Sequence, residues 1–88
     1  MNQSILFPDT QHWDEENKRV VFFAQQSGSL IECCISSDEL EIISGYAIKN
    51  GEQALAVFDD CRFDMEELAE QLIEDELFNE DGKIVIGS

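Results

Sequence analysis

Apolar positions along the chain follow two different periods. From Val20 to Ala24 the residues are β-branched or aromatic and strongly β-forming, and Leu30 to Ile35 repeats that character after Gln25-Gln-Ser-Gly-Ser29. Gly28 stands where a tight hairpin needs positive φ, so the two runs predict an antiparallel hairpin. With side chains alternating, Ile31, Cys33 and Ile35 share one face and Leu30, Glu32 and Cys34 the other. The first set is expected to face the helices, with Glu32 pointing away from the core. Ser4 to Phe7, stopped by Pro8, reads as a first edge strand without an obvious partner. Asp9 to Arg19 is polar and irregular, and Trp13 is expected to fold it back onto the core.

Beyond Ile35 the period becomes helical. Ser36 with Glu39 forms a capping box, opening a short helix with Leu40, Ile42 and Ile43 that Gly45 ends. Asn50 with Gln53 caps the next start, and a helical pattern free of Gly and Pro runs from about Glu52 to Leu77. One helix of this length extends about 39 Å. Asn79 to Gly82 reads as a turn and Lys83 to Ile86 as a final strand. The prediction is an α+β fold, with a small antiparallel sheet built on the hairpin and covered by one short and one long helix.

On the long helix Ala54, Leu55, Cys61, Met65, Leu68, Ala69, Leu72 and Ile73 lie within about 80° of Phe58, which defines a core face. Part of this pattern also has coiled-coil spacing, but packing on the sheet is the expected use. Arg62 interrupts the face, and a buried guanidinium needs a partner. Asp59 and Glu66 are the local candidates for an ion pair, and anion capture by Arg62 is the functional alternative. The opposite face carries Glu52, Asp59, Glu66, Glu67, Glu70 and Glu74, with Phe63 among them about 140° from Phe58. Glu66, Glu70 and Glu74 repel at i, i+4, and Glu74-Asp-Glu76 opposes the helix dipole. Broken local rules of this kind concentrate at functional sites. Phe63, Asp59, Glu66, Glu67, Glu70 and Glu74 are therefore the candidate partner-binding surface. The alternative is that the Trp13 segment or the Tyr46 to Asn50 connection covers Phe63.

Charge narrows the range of partners. The 88 residues hold 20 acids and 5 Lys plus Arg, a net charge of -15 that is spread over both halves of the chain. Such a field repels phosphate backbones and anionic lipid, so neither direct nucleic-acid binding nor membrane binding is expected. Length predicts a single domain, 1–88. No apolar run reaches membrane-spanning length and Met1 to Phe7 lacks a signal-peptide pattern, so a cytoplasmic location is expected.

Cys33, Cys34 and Cys61 are an odd number without metal-ligand spacing to His12, the single His, which predicts reduced structural thiols. One of Cys33 and Cys34 should enter the core while the other faces out or lies under a second layer. No nucleophile elbow, phosphate loop or zinc motif is present. Asn79 to Gly82 matches part of a calcium loop but places Leu77 at the first ligand position. Neither a cofactor nor a metal nor catalysis is expected.

Phe7-Pro8-Asp9, Trp13-Asp14, the Val20 to Ala24 strand, Ile35-Ser36 before Glu39-Leu40, and Phe58, Arg62 and Ala69 on one helix resemble, in their succession, the bacterial domain of unknown function 1488 family. The resemblance spans nearly the whole chain. It implies a compact α+β domain of the bacterial cytoplasm, with no established activity, cofactor or catalytic residue to transfer. It also implies that members usually have a more basic long helix, which makes the acidity a feature of this chain. The functional expectation is a small non-enzymatic interaction or regulatory module with a basic protein partner, with self-association as a homodimer left open. The alternatives are a nucleic-acid mimic that blocks a DNA-binding protein and an accessory subunit of an enzyme. For the mimic, a second acidic row from Asp60, Asp64, Glu67 and Asp75, or from Asp38 and Glu41, would be needed to approach phosphate spacing.

Overall fold

In the computed structural model, which describes residues 5–87, the hairpin is the centre of the sheet. Strands β3 (Arg19–Gln26) and β4 (Ser29–Ser36) pair antiparallel from Arg19 opposite Ser36 to Gln26 opposite Ser29. Ser27 and Gly28 turn the chain at φ 53° and 82°. Positive φ at both positions is the hairpin geometry whose twist matches that of the flanking strands.

Strands β1 (Ile5–Leu6) and β2 (His12–Asp14) share the other edge of β3. Ile5 and Leu6 pair with Gln26 and Gln25, while His12 to Asp14 pair with Val21 to Arg19. The edge-strand expectation therefore gains its partner, although Ser4 lies outside the described residues. The segment from Asp9 to Arg19 is not irregular throughout, because the exposed edge of β3 recruits three of its residues into a strand. Two local bonds shape it: the Thr10 amide donates to the Pro8 carbonyl at 2.9 Å, and the Asn17 amide donates to Asp14 at 3.2 Å.

Three helices follow: α1 (Ser37–Ser44), α2 (Gly51–Asp60) and α3 (Arg62–Glu74). The first two start on the expected N-caps, whereas α3 starts at Cys61 without a side-chain cap. Ser36 Oγ accepts from the Glu39 amide at 3.1 Å, and Asn50 Oδ1 from the Gln53 amide at 2.8 Å. Gly45, left-handed at φ 79°, ends α1 and donates its N–H to the Glu41 carbonyl. The expected single long helix is instead two, broken at Cys61 (φ -105°, ψ 16°) without Gly or Pro. Packing accounts for the break. α2 lies on β2 and β3, whereas α3 lies on β5, and a straight rod of this length cannot follow a twisted sheet across those strands.

Strand β5 (Ile84–Ile86) joins the free edge of β4 in parallel, with Cys33 opposite Ile84 and Ile35 opposite Ile86. The sheet is therefore mixed rather than wholly antiparallel. The helices carry the chain back to the starting end of β4, which is the connection a parallel neighbour requires. Within the α+β fold Ile42 on α1 and Phe63 on α3 stay exposed, while the buried apolar residues of the helices all pack on one face of the sheet. Val20, Phe22, Ala24, Cys33, Ile35, Ile84 and Ile86 meet Leu40, Ala54, Phe58, Met65, Ala69 and Ile73 there. Leu55, Cys61 and Leu72 pack partly against this core, whereas Leu68, expected on the core face, stays 40% exposed.

Candidate functional site

Arg62 opens α3 beneath the loop that joins β1 to β2. Its guanidinium reaches Asp9 at 2.7 Å, Glu66 at 3.4 Å, Asp59 at 3.5 Å and the Gln11 side-chain carbonyl, and it lies over the Phe58 ring at 5.5 Å. Phe58 stacks at 4.9 Å on Phe22, and Phe22 at 6.3 Å on Phe7. An aromatic row through the core thus ends under a cation shared by three carboxylates. The two helical partners are those expected from spacing. Asp9 and Gln11, more than fifty residues away, were not legible as partners. Their only sequence signal is Asp9 in the Phe7-Pro8-Asp9 motif. With its head shared in this way, Arg62 has little capacity left for an incoming anion.

The acidic face lies on the outer side of α2 and α3. Phe63 is 84% exposed, and neither the Trp13 segment nor the Tyr46 to Asn50 connection covers it. Asp59, Glu67 and Glu74 are exposed and Glu70 is half-buried. Glu66 is drawn toward Arg62, so the six predicted residues do not form one uniform row. Of the proposed second row, Asp60, Asp64, Glu67 and Asp75 are exposed, while Glu41 on α1 accepts from the Ile48 amide at 2.6 Å.

The other face of the sheet carries no helix among the described residues. The register sets Leu6, His12, Asp14, Arg19, Val21, Phe23, Gln25, Leu30, Glu32, Cys34 and Val85 there, with Gln25 between Leu6 and Leu30. Two ion pairs lie across it: Arg19 to Asp14 at 3.1 Å and Lys83 to Glu32 at 3.2 Å. Leu6 and Leu30 are each 65% exposed, whereas Val21 and Cys34 are buried. Arg19 lies over the Cys34 thiol, with Nη1 to Sγ at 3.4 Å, and His12 packs at 6.3 Å against Phe23. This surface was only partly legible, because alternation identifies the outward residues without saying whether a second layer covers them.

A cleft of about 230 Å³ opens between β2 and the starts of α1 and α2, lined by Trp13, Glu15, Lys18, Ser37, Ile48, Lys49, Asn50 and Gly51. The Trp13 indole lies flat against Gly51, where a Cβ would come within 2.4 Å of the ring, so only glycine fits beneath it. Trp13 Nε1 donates to Glu15 at 2.7 Å, and Lys18 pairs with the same carboxylate. Those two bonds hold the Glu15 carboxyl below its ordinary range, Lys18 having the larger effect. The Asn17 hydrogen bonds, helped by Arg19, do the same for Asp14. The cleft is smaller than typical small-molecule pockets.

Thiol chemistry finds little support. Burial pushes Cys33 up to about 12 and raises Cys34, and burial with Asp64 and Asp60 nearby raises Cys61. All three are therefore held as thiols at neutral pH. Among the described residues no group of three or more His, Cys, Asp or Glu is placed to hold a metal ion. Nor is any helix long and apolar enough to cross a membrane.

Comparison with known proteins agrees with this architecture. A family model described as "Protein of unknown function (DUF1488)" matches residues 5–86. The chain is 40% identical over 82 residues to the uncharacterized protein YrdB of Escherichia coli K12, covering 93% of this chain and 94% of that one. It is 39% identical over 82 residues to YrdB of Shigella flexneri, with the same coverage. A crystal structure of a DUF1488 protein of unknown function from Shewanella loihica PV-4 superposes with a TM-score of 0.93 at 45% identity, covering 98% of this chain and 94% of that one. With the family match, the identity and the shared fold in agreement, the chain belongs to the domain of unknown function 1488 family.

Proposed function

We propose that this protein is a small non-enzymatic interaction module of the cytoplasm whose acidic α2–α3 face, anchored by Phe63, receives a basic protein partner. The observation that carries this reading is the 84% exposure of Phe63 among Asp59, Glu67, Glu70 and Glu74. An aromatic side chain gains by leaving water, and a surrounding acidic rim steers a cationic surface toward it. The nucleic-acid mimic has less support, since Asp59 and Glu66 already face Arg62 and leave a sparser row of free carboxylates.

The test is capture from bacterial lysate with wild type and Phe63→Ser side by side. The variant should keep its stability within about 0.5 kcal/mol, as surface substitutions do, and should lose the captured protein. Capture should also weaken as salt rises. A stability loss above about 2 kcal/mol would make Phe63 a structural residue, and equal capture by both proteins would remove it from the interface. Displacement of the captured protein by duplex DNA at equivalent charge would favour the mimic instead.

A further inference from the structure

We propose that the uncovered face of the sheet stacks on the same face of a second copy of this chain. Apolar residues run across that face from Leu6 and Leu30 through Phe23 to Val21 and Val85, and no helix covers them among the described residues. A sheet that buries one side under helices can solvate the other, but solvated faces ordinarily alternate to polar residues. This one does so at its two ion pairs, at His12 and at Gln25, and is apolar at Leu6, Leu30, Phe23, Val21 and Val85.

Charge selects the occupant. The face bears Asp14 with Arg19 and Glu32 with Lys83, so its fixed charges cancel, whereas the chain as a whole carries -15. Two copies meeting through their helices would bring like charges together. Meeting through the sheets places neutral surfaces in contact and keeps the acidic helices on the outside. Facing sheets pack about 10 Å apart with their side chains interdigitated.

Area sets the expected strength. Eight-residue strands extend about 26 Å, and neighbouring strands are about 4.8 Å apart. The outer strands are shorter, so the face offers roughly 400 Å² in projection. A stable complex of ordinary size buries about 800 Å² on each partner, so this dimer should be reversible, with association developing between about 10 µM and 1 mM.

Sedimentation equilibrium across that range tests it. The average mass should rise from 10.0 kDa toward twice that value, and further at high salt, which screens repulsion between the acidic surfaces. This salt dependence is opposite in sign to that expected for the basic partner of the helical face. Leu6→Glu with Leu30→Glu should hold the protein at monomer mass, and Phe63→Ser should leave association unchanged. Both leucines are largely exposed, so the double variant should fold, as circular dichroism will check. Amide shifts on dilution of the wild type give a reading that needs no variant, and should concentrate in β1, β3 and β4. A monomer at every concentration and salt would overturn the proposal, as would a dimer that survives the leucine substitutions or that shifts only α3 amides.

Discussion

Cys33 and Cys34 are chain neighbours on opposite faces of β4, and their accessibilities are nearly equal at 0% and 1%. Their surroundings are not equal. Cys33 is enclosed by the layer of α1, α2 and α3, within the cluster that includes Phe22, Phe58 and Met65. Cys34 is enclosed by other side chains of its own sheet, Arg19 foremost. A layer of helices opens only by unfolding part of the molecule, whereas a long side chain swings away through rotamer changes. Equal burial thus arises from a rigid cover on one face and a movable one on the other. Accessibility alone does not report which of them resists water, reagents or partners.

Truncation should expose the largest contrast. Phe22→Ala on the covered face should cost about 3–5 kcal/mol by urea denaturation, whereas Val21→Ala on the open face should cost about 1–2 kcal/mol. Equal losses would mean that Val21, the smaller side chain, is the more tightly held for its size, reversing the contrast. Alkaline pH sharpens the same contrast. A thiol held protonated in the fold loses its stabilising contribution as pH rises from the ordinary thiol range toward the raised value. For Cys33 this window runs from about 9 to about 12, with stability falling by up to about 1.4 kcal/mol per pH unit. Cys33→Ala should flatten that slope. At pH 8.5, iodoacetamide should label Cys34 at least about tenfold faster than Cys33, as read by mass spectrometry of the peptides, because local exposure precedes reaction. A reversed order would place the movable cover over Cys33. The smallest expected effect concerns the acidic outer face of α2–α3 against the neutral open sheet. Raising salt from low ionic strength to about 0.5 M should lift Tm by a few degrees by screening helix self-repulsion, and a flat response would remove that repulsion as a significant contribution.

Features determined within a few residues were legible in the sequence. The hairpin turn at Gly28, the caps at Ser36 and Asn50, the stop at Gly45 and the outward position of Phe63 each depend on local geometry or on one helical wheel. Features that arise only in three dimensions were not. The strand His12–Asp14 exists because β3 offers it an edge, the break at Cys61 because two helices follow different strands, and the parallel β5 because helices intervene. At the candidate site the same division applies. Asp59 and Glu66 lie within a turn of Arg62, whereas Asp9 and Gln11 reach it across the fold.

The parallel strand also orders events in time. β3 and β4 meet across a two-residue turn, whereas β4 and β5 close a loop of about fifty residues, for which chain entropy opposes closure by roughly 3 kcal/mol beyond a constant. The hairpin is therefore expected to assemble early and β5 to dock near the end, once the helices have shortened the path between its partners. Ile84→Val should accordingly quicken unfolding while leaving the folding rate nearly unchanged. Until that docking the free edge of β4 stays unpaired, so the slowest contact in the fold is also the one that closes its most aggregation-prone edge.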